Sequence, residues 1–136
     1  MAAPTVLVID DDPEYRFALC AMLSQHELTV RQAPDGWKAL RALRSDPPPD
    51  LICVDLMLPG ISGFEICEII RRDERLRHVP ILVISARTHP QDVALATVAG
   101  ATAYLPKTLR LRDLAEHAVA IIRGDAGVGE RLPGQG

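Results

Sequence analysis

Short apolar runs recur along the chain at intervals that suit alternating strands and helices. Three of them are nearly continuous and rich in β-branched residues, which is typical of strands covered on both faces: Val6–Ile9, Leu51–Val54 and Ile81–Ile84. A fourth run, Ala103–Leu105, is shorter, and the weaker alternating stretch Leu28–Val30 predicts an edge strand. The pattern therefore predicts five strands.

Two helical patterns lie in the first half of the chain. The segment Pro13–Gln25 has apolar residues at i, i+4 and i+7 spacing, and its proline suits a first helical turn. Asp35 is positioned to cap a second helix, which three consecutive prolines at 47–49 must end. We expect Trp37 to cover the packing face of that second helix.

Three further helices are predicted in the second half. Residues 62–65 (SGFE) and 88–91 (THPQ) both have the form of a capping box, and Gly100 is a natural stop for the helix that begins at the second box. Residues 111–123 form a last amphipathic segment. The residues expected to point inward from the third helix are Ile66, Ile69 and Ile70.

Five strands that alternate with five helices predict an α/β fold, with one parallel sheet covered by helices on both faces. The length of 136 residues fits a single domain. Residues 124–136 (GDAGVGERLPGQG) combine glycine, proline and charge without periodicity, so we interpret them as a flexible tail or the stub of a linker.

Composition excludes several functional classes. The formal net charge is −3 without a basic cluster, and aromatic content is 4%, so a direct nucleic-acid surface is not expected. No segment has the length of a membrane span or the pattern of a signal peptide, which favours a cytoplasmic protein. Cys20, Cys53 and Cys67 are widely spaced and form no CxxC pair, so we expect small buried hydrophobic residues.

Polar residues end four of the five predicted strands. Asp10-Asp11-Asp12 follows the first, Asp55 the third, Ser85 the fourth and Lys107 the fifth. Ligands of open parallel sheets bind beyond these carboxyl ends, so the four groups should converge. Carboxylates that meet in this way favour a hard divalent cation such as Mg²⁺, with Mn²⁺ as an alternative, and one of them can act as a nucleophile toward phosphorus.

At this point the chain resembles the receiver domains of two-component response regulators. The matching segments are VLVIDDDPEYR (6–16), VDLMLPGISGFE (54–65), ILVISA (81–86) and AGATAYLPK (99–107). The resemblance implies a receiver domain over residues 4–123. It also implies a flavodoxin-like (βα)5 three-layer sandwich, in which the five parallel strands have the order 2-1-3-4-5.

The resemblance also implies a role for each site residue. Asp55 matches the phosphoacceptor, and Lys107 matches the lysine that pairs with the phosphoryl group. Ser85 matches the hydroxyl of the switch, and Tyr104 falls on its aromatic position, where the ring turns inward as the hydroxyl moves toward phosphate. The implied metal ligands are the carboxylates of Asp10, Asp11 and Asp55 and the backbone carbonyl of Met57.

Two features qualify the match. The family lysine is usually followed by a proline in a cis bond, whereas Thr108 follows Lys107 here, so this bond is either trans or held against a cost of about 2.5–4 kcal/mol. Met57 and Arg87 occupy positions that tune dephosphorylation in similar domains. Because an apolar Met57 does not readily orient an attacking water, we expect a fairly long-lived phosphoryl form.

Two alternatives to a signalling receiver remain open. The run at 7–12 also resembles haloacid-dehalogenase phosphatases, in which Asp10 would be the nucleophile and Asp12 the acid/base, but that reading leaves Asp55 unexplained. A receiver that acts as an adaptor without phosphorylation is the other alternative. In the signalling reading the chain is not an enzyme, but a substrate that assists its own phosphotransfer and dephosphorylation.

The signalling reading implies two sets of partners. A sensor histidine kinase or a histidine phosphotransfer protein would phosphorylate Asp55. Downstream, the chain would act on another protein, or on an effector domain that lies beyond Gly136 and has been removed. A phosphorylation-linked homodimer through the last two helices is a further possibility, and no membrane partner is expected.

Overall fold

The computed structural model describes residues 2–124 and contains five strands and five helices that alternate along the chain. The strands are β1 (Thr5–Ile9), β2 (Thr29–Ala33), β3 (Leu51–Val54), β4 (Ile81–Ser85) and β5 (Ala103–Pro106). The helices are α1 (Pro13–Ser24), α2 (Gly36–Ser45), α3 (Gly63–Arg72), α4 (Pro90–Ala99) and α5 (Leu111–Arg123).

All strand pairs are parallel, and the sheet has the order β2-β1-β3-β4-β5. The α/β flavodoxin-like architecture and the strand order implied by the sequence are therefore confirmed. The chain reverses its direction of travel across the sheet between β1 and β3. This switch point is where an open parallel sheet offers a crevice at its carboxyl edge.

Two apolar clusters cover the two faces of the sheet. One joins inward residues of the sheet to α2, α3 and α4, and the other joins them to α1 and α5. The central strands β3 and β4 are buried throughout, which explains their continuous apolar sequences. The result is a three-layer molecule whose polar strand ends all point to one edge.

Side chains cap the first three helices, two of them at the predicted residues Asp35 and Ser62. Asp12, Asp35 and Ser62 accept hydrogen bonds from backbone N–H groups in the first turns of α1, α2 and α3. The prediction of a capping box that begins at Thr88 is wrong by one residue. His89 is the cap of α4, where its Nδ1 atom accepts from the backbone N–H of Gln91 at 3.2 Å.

Three sequence-based details also need correction. The edge strand β2 runs from Thr29 to Ala33, further than the predicted Leu28–Val30. Trp37 does not cover a packing face, because it is 65% exposed while the buried stripe of α2 consists of Gly36, Ala39, Leu40 and Leu43. Ile69 is 38% exposed, since it lies at the margin of the stripe that buries Ile66 and Ile70.

The remaining predictions about the whole chain have mixed outcomes. All three cysteines are free and buried, as expected. Across residues 2–124, no helix combines the length and apolarity that crossing a bilayer requires. Residues 125–136 of the predicted tail lie outside the described part of the chain, and the boundaries 4–123 of the domain remain a prediction.

Candidate functional site

Asp10 and Asp55 lie side by side at the switch point, because each follows directly on one of two adjacent strands. The backbone N–H of Asp55 donates to the carbonyl of Ile9 at 3.1 Å, and that of Asp10 donates to Ala33 at 3.2 Å. These bonds continue the sheet ladder by one residue, so the strand geometry sets both carboxylates in the crevice. Both residues are buried, at 3% and 5% exposure.

Asp11 completes a cluster of three carboxylates. One oxygen each from Asp10, Asp11 and Asp55 lies within 4.8 Å of the others, and Asp11 alone is exposed to solvent. Burial raises the pKa of the Asp10 carboxyl, although hydrogen bonds from Lys107 and from the backbone of Asp12 oppose the rise. The cluster therefore concentrates negative charge in a partly desolvated pocket.

Lys107 supplies the positive charge that balances the two buried carboxylates. Its Nζ atom lies 2.8 Å from Oδ2 of Asp10 and 2.8 Å from Oδ2 of Asp55. Burial alone would lower the pKa of Lys107, but the two carboxylates outweigh it and hold this pKa above its ordinary value. The bond between Lys107 and Thr108 is trans, which answers the question raised by the missing proline.

The second oxygen of each buried carboxylate is held by the chain two residues further on. Oδ1 of Asp10 accepts from the backbone N–H of Asp12 at 2.9 Å, and Oδ1 of Asp55 accepts from that of Met57 at 3.0 Å. The carboxylates are therefore fixed by their own turns as well as by Lys107. Asp12 is exposed and caps α1.

Arg16 is a site residue that the sequence reading did not identify. Its guanidinium donates to the backbone carbonyl of Asp10 at 2.7 Å and to Oε1 of Gln32 on β2 at 2.8 Å, and the side chain is buried. The sequence signal that could have indicated Arg16 was its place as a charged residue on the apolar stripe of α1, three positions before Leu19. Arg16 thus anchors the turn that presents Asp10.

Ser85 and Tyr104 both contact Arg87. The buried Oγ atom of Ser85 accepts from the backbone N–H of Arg87 at 3.1 Å. The Tyr104 ring lies in the core, and its hydroxyl donates to the backbone carbonyl of Arg87. Burial raises the pKa of Tyr104, so the phenol remains a donor at neutral pH. The two residues of the implied switch are therefore joined through one backbone unit.

The Arg87 side chain links the loop after β4 to two other parts of the molecule. Its Nη2 and Nε atoms lie 3.0 and 3.2 Å from the two carboxylate oxygens of Asp92, a buried residue in the first turn of α4. Its Nη1 atom lies 3.2 Å from Sδ of Met57. The loop is thus tied both to α4 and to the rim of the carboxylate cluster.

The chemistry of the cluster fits a hard divalent cation. All of its candidate ligands are carboxylate oxygens, which Mg²⁺ and Mn²⁺ prefer, and the exposed Asp11 leaves one side open to solvent. Of the four strand-end groups predicted to converge, the structure brings together Asp10, Asp55 and Lys107. Ser85 ends the adjacent strand β4, and the backbone N–H of Lys107 donates to its carbonyl at 2.9 Å.

Comparison with known proteins agrees with this geometry. A family model described as the response regulator receiver domain matches residues 6–119. The DNA-binding dual master transcriptional regulator RpaA of Synechocystis is 38% identical over 88% of this chain and 49% of its own length. The transcriptional regulatory protein AfsQ1 of Streptomyces coelicolor is 39% identical over 88% and 52% of the two chains.

Comparison with solved structures agrees with the match to the family model. The chemotaxis protein CheY4 of Vibrio cholerae superposes with a TM-score of 0.83 at 27% identity, covering 88% of this chain and 99% of its own. The chain spans about half the length of the curated relatives it matches. Asp55 stands within the carboxylate cluster, a position that the dehalogenase-like alternative leaves unexplained. The chain belongs to the receiver domains of two-component response regulators, which signal by phosphorylation.

Proposed function

We propose that Asp55 is the residue of this receiver that accepts the phosphoryl group. The observation that carries the proposal is the contact of 2.8 Å between Oδ2 of Asp55 and Nζ of Lys107, inside a cluster of acidic residues. The carboxylate of Asp55 lies at the carboxyl edge of the sheet, and the Lys107 ammonium beside it can pair with the negative charge of a phosphoryl group. Asp10 shares the lysine but follows β1, on the other side of the switch point.

The transfer that we propose needs positioning and charge neutralisation more than covalent assistance. An oxygen of Asp55 forms the new O–P bond while the N–P bond of a donor phosphohistidine breaks, and the electron pair of that bond stays on the imidazole nitrogen. Lys107 then pairs with the transferred group, and the Ser85 hydroxyl donates to one of its oxygens. The chain thus assists its own phosphotransfer and dephosphorylation as a substrate, without turning over another molecule.

A divalent cation, Mg²⁺ or Mn²⁺, would be held by the carboxylates of Asp10, Asp11 and Asp55 and by the backbone carbonyl of Met57. When bound, the cation neutralises charge on the transferring group. The buried Asp10 and Asp55 already have fixed orientations through their turns. The two carboxylates would therefore keep their orientations when a cation binds.

We infer that the switch runs from Ser85 through the backbone of Arg87 to Tyr104 and α4. Withdrawal of the Ser85 hydroxyl toward phosphate would remove the acceptor of the Arg87 N–H group. Because Tyr104 donates to the carbonyl of the same residue, its ring and the start of α4 would respond to that change. The surface formed by the last two helices would then change its affinity for a partner.

The partners belong to the same proposal. A sensor histidine kinase or a histidine phosphotransfer protein is the donor, and a protein partner or an effector domain is the recipient of the signal. A homodimer through α4 and α5 is the assembly that we expect phosphorylation to promote, and direct binding of nucleic acid is not expected of this domain. The three unpaired, buried cysteines fit a reducing compartment such as the cytoplasm.

Phosphoryl incorporation tests the proposal directly. The wild-type protein, Asp55→Ala and Asp10→Ala are incubated with Mg²⁺ and an acyl phosphate donor, and intact mass is measured. We expect the wild type to gain one phosphoryl group, Asp55→Ala to gain none and Asp10→Ala to gain it slowly. Incorporation by Asp55→Ala that is lost in Asp10→Ala would overturn the assignment. A folded wild type that takes up no phosphoryl group would favour the adaptor alternative.

A further inference from the structure

Besides its contacts with two carboxylates, Lys107 has a third contact, with an aromatic ring. Its Nζ atom lies 4.6 Å from the centroid of the Tyr15 ring, in addition to the two oxygens at 2.8 Å. An ammonium within about 6 Å of an aromatic centroid is attracted by the negative face of the ring. The ammonium is thus held between two carboxylates and one aromatic ring.

The hydroxyl group of Tyr15 does not account for the presence of an aromatic residue here. Within the described residues its Oη atom is buried and has no hydrogen-bond partner, which destabilises the folded state. Burial raises the pKa of Tyr15 to about 12, so the phenol is uncharged at neutral pH and is no counter-ion for the lysine. The part of Tyr15 that interacts favourably with Lys107 is therefore its ring.

The backbone that carries the ring is held by the same turn that presents the acidic cluster. Oδ1 of Asp12 accepts from the backbone N–H groups of Glu14 and Tyr15 at 3.1 and 3.4 Å, while the N–H of Asp12 donates to Oδ1 of Asp10. The backbone of Tyr15, rather than its side chain, is thus coupled to the acidic turn. Lys107, by contrast, extends a flexible side chain from a segment that continues as a trans bond into Thr108.

We propose that Tyr15 is a positioning residue for phosphoryl transfer, whose ring face holds the Lys107 ammonium in the place where it pairs with the phosphoryl group on Asp55. The inference rests on the proposed function of Asp55 and Lys107. Loss of the ring would let the ammonium sample other rotamers and so weaken its pairing with phosphoryl oxygens. The carboxylate ligands of the cation would stay in place, because their own turns hold them.

Two substitutions at one position separate the ring from the hydroxyl. Tyr15→Phe keeps the ring, and Tyr15→Leu removes it while keeping an apolar side chain. The probes are Mg²⁺ alone and beryllofluoride with Mg²⁺, which mimics the phosphoryl group, and calorimetry gives both affinities. We expect Tyr15→Leu to weaken beryllofluoride binding about three- to tenfold without weakening Mg²⁺ binding, whereas Tyr15→Phe resembles the wild type.

A spectroscopic signature reports the contact without any ligand. In the wild type and in Tyr15→Phe, the ε-methylene protons of Lys107 should show an upfield ring-current shift in NMR spectra, and Tyr15→Leu should lose it. In a Lys107→Met background, Tyr15→Leu should have no further effect on beryllofluoride affinity. This comparison isolates the pairwise interaction between the ring and the ammonium.

The contrary results distinguish a failure of the positioning role of Tyr15 from a failure of the proposed function. Equal weakening of Mg²⁺ and beryllofluoride binding by Tyr15→Leu, or equal losses in Tyr15→Leu and Tyr15→Phe, would overturn the positioning role. So would an effect of Tyr15→Leu that persists in the Lys107→Met background. A wild-type protein that is folded but binds no beryllofluoride would refute the proposed function itself, together with this inference. Normal beryllofluoride binding by both the wild type and Tyr15→Leu would refute the inference alone.

Discussion

At the scale of single residues, the charge balance of the site bears on the binding of both a divalent cation and a phosphoryl group. Asp10 and Asp55 share one ammonium, and the same two carboxylates are candidate ligands of a divalent cation. A divalent cation bound by these carboxylates would therefore compete with Lys107 for oxygen atoms until a phosphoryl group supplied new ones. We therefore expect a divalent cation to bind this site more weakly at rest than after phosphorylation.

Met57 sets the expected lifetime of the phosphoryl group. Its side chain is 51% exposed at the rim of the site, and its Sδ atom lies 3.2 Å from Nη1 of Arg87. A thioether is a poor hydrogen-bond acceptor, so it does not orient a water molecule for attack on phosphorus. We predict that Met57→Asn shortens the half-life of the phosphorylated protein several-fold, measured as loss of the phosphoryl mass after removal of the donor.

Arg87→Met is the comparison variant for this half-life measurement, because it removes the guanidinium from the rim of the site while Met57 remains. A wild-type half-life of a few seconds would contradict the explanation based on Met57. So would an Asn variant whose phosphoryl group is as persistent as that of the wild type.

Gly63 is the glycine on which the backbone of the site depends most directly. A Cβ atom added there would lie 2.3 Å from the carbonyl oxygen of Asp55 and 2.7 Å from Cα of Leu56. Neither atom belongs to a flexible side chain, so the loop that carries Asp55 would have to move. We predict that Gly63→Ala lowers the free energy of unfolding by about 2–4 kcal/mol and slows phosphorylation of Asp55.

Gly36→Ala is the matched control, since Gly36 is also the first residue of a helix after its cap. There the added atom would meet the side chain and carbonyl of Ile61 at 3.0 Å, away from the carboxylates. Urea unfolding and phosphoryl incorporation should show a smaller loss of stability and normal incorporation. Equal effects of the two substitutions would mean that Gly63 has no special relation to the site.

Sequence alone located those site residues whose placement follows from topology. Asp10, Asp55 and Lys107 could be predicted because they follow strands, and parallel strands end at one edge. The roles of Tyr15 and Arg16 could not be predicted in this way. Both lie on α1, and whether a helical side chain reaches the strand ends depends on the rotation and tilt of the helix against the sheet, which apolar periodicity does not determine.

At the scale of elements, Arg71 connects the end of α3 to two later segments. Its guanidinium donates to the backbone carbonyls of Val79 at 2.7 Å and of Arg77 and Gly100 at 2.9 Å. Gly100 is the left-handed cap of α4, and Val79 precedes β4. A single planar cation thus satisfies carbonyls that would otherwise lack partners at the end opposite the site.

We predict that Arg71→Lys lowers the free energy of unfolding by about 2–3 kcal/mol. An ammonium keeps the charge but does not reach acceptors that lie around the edges of a guanidinium, so carbonyl groups lose their partners. Arg72→Lys is the control, because Arg72 is the next residue and is exposed. Urea unfolding should place this control within about 0.5 kcal/mol of the wild type, and similar losses for both variants would contradict the role of Arg71.

The first turn of α4 depends on the pair between Arg87 and Asp92. Asp92 is 4% exposed, and both of its carboxylate oxygens contact the Arg87 guanidinium. We predict that Asp92→Asn speeds hydrogen exchange in this turn and lowers stability by about 1 kcal/mol, a figure discounted because Arg87 is half exposed. The measurement is hydrogen exchange followed by mass spectrometry of peptides that cover α4.

Asp113→Asn is the control for this prediction. Asp113 holds the equivalent third position of α5, and within the described residues it makes no ion pair. Its substitution should leave exchange in α4 unchanged. Protection of α4 that is equal in Asp92→Asn and the wild type would show that the helix is held by its apolar contacts alone.

Element types were easier to predict than element ends. The continuous apolar strands are buried on both faces, so their sequences indicate them directly. The edge strand β2 is half exposed, and its last three residues, Arg31, Gln32 and Ala33, do not have an apolar pattern. Their strand geometry comes from pairing with β1, a contact distant in sequence that local pattern does not reveal.

At the scale of the whole molecule, the burial of the cysteines shows that helices cover both faces of the sheet. Cys53 lies on β3 and Cys67 on α3, and both are buried in the apolar clusters. Burial raises the pKa of Cys53 to about 12 and that of Cys67 to about 11. The thiols of the folded protein should therefore stay protonated and unreactive at mildly alkaline pH.

Folding stability should consequently fall as the pH rises above about 8.5, the ordinary thiol pKa. Between that value and the raised values of the folded state, the unfolded chain has lost thiol protons that the folded protein still holds. Unfolding then releases protons, so high pH favours it. We predict a loss of about 2 kcal/mol for each of these two thiols between pH 8 and pH 10, measured by urea unfolding under reducing conditions.

The double variant Cys53→Ala and Cys67→Ala identifies the source of this loss. It should be less stable than the wild type at pH 8, because it leaves small cavities, but its stability should change less between pH 8 and pH 10. Tyr15 and Lys107 also have raised pKa values, but their unfolded-state titrations lie at or above pH 10, so they contribute little in this interval. Burial also raises the pKa of Cys20, so the double variant should keep part of the loss. An equally steep fall in the double variant would mean that the buried thiols are not what makes the folded protein sensitive to alkali.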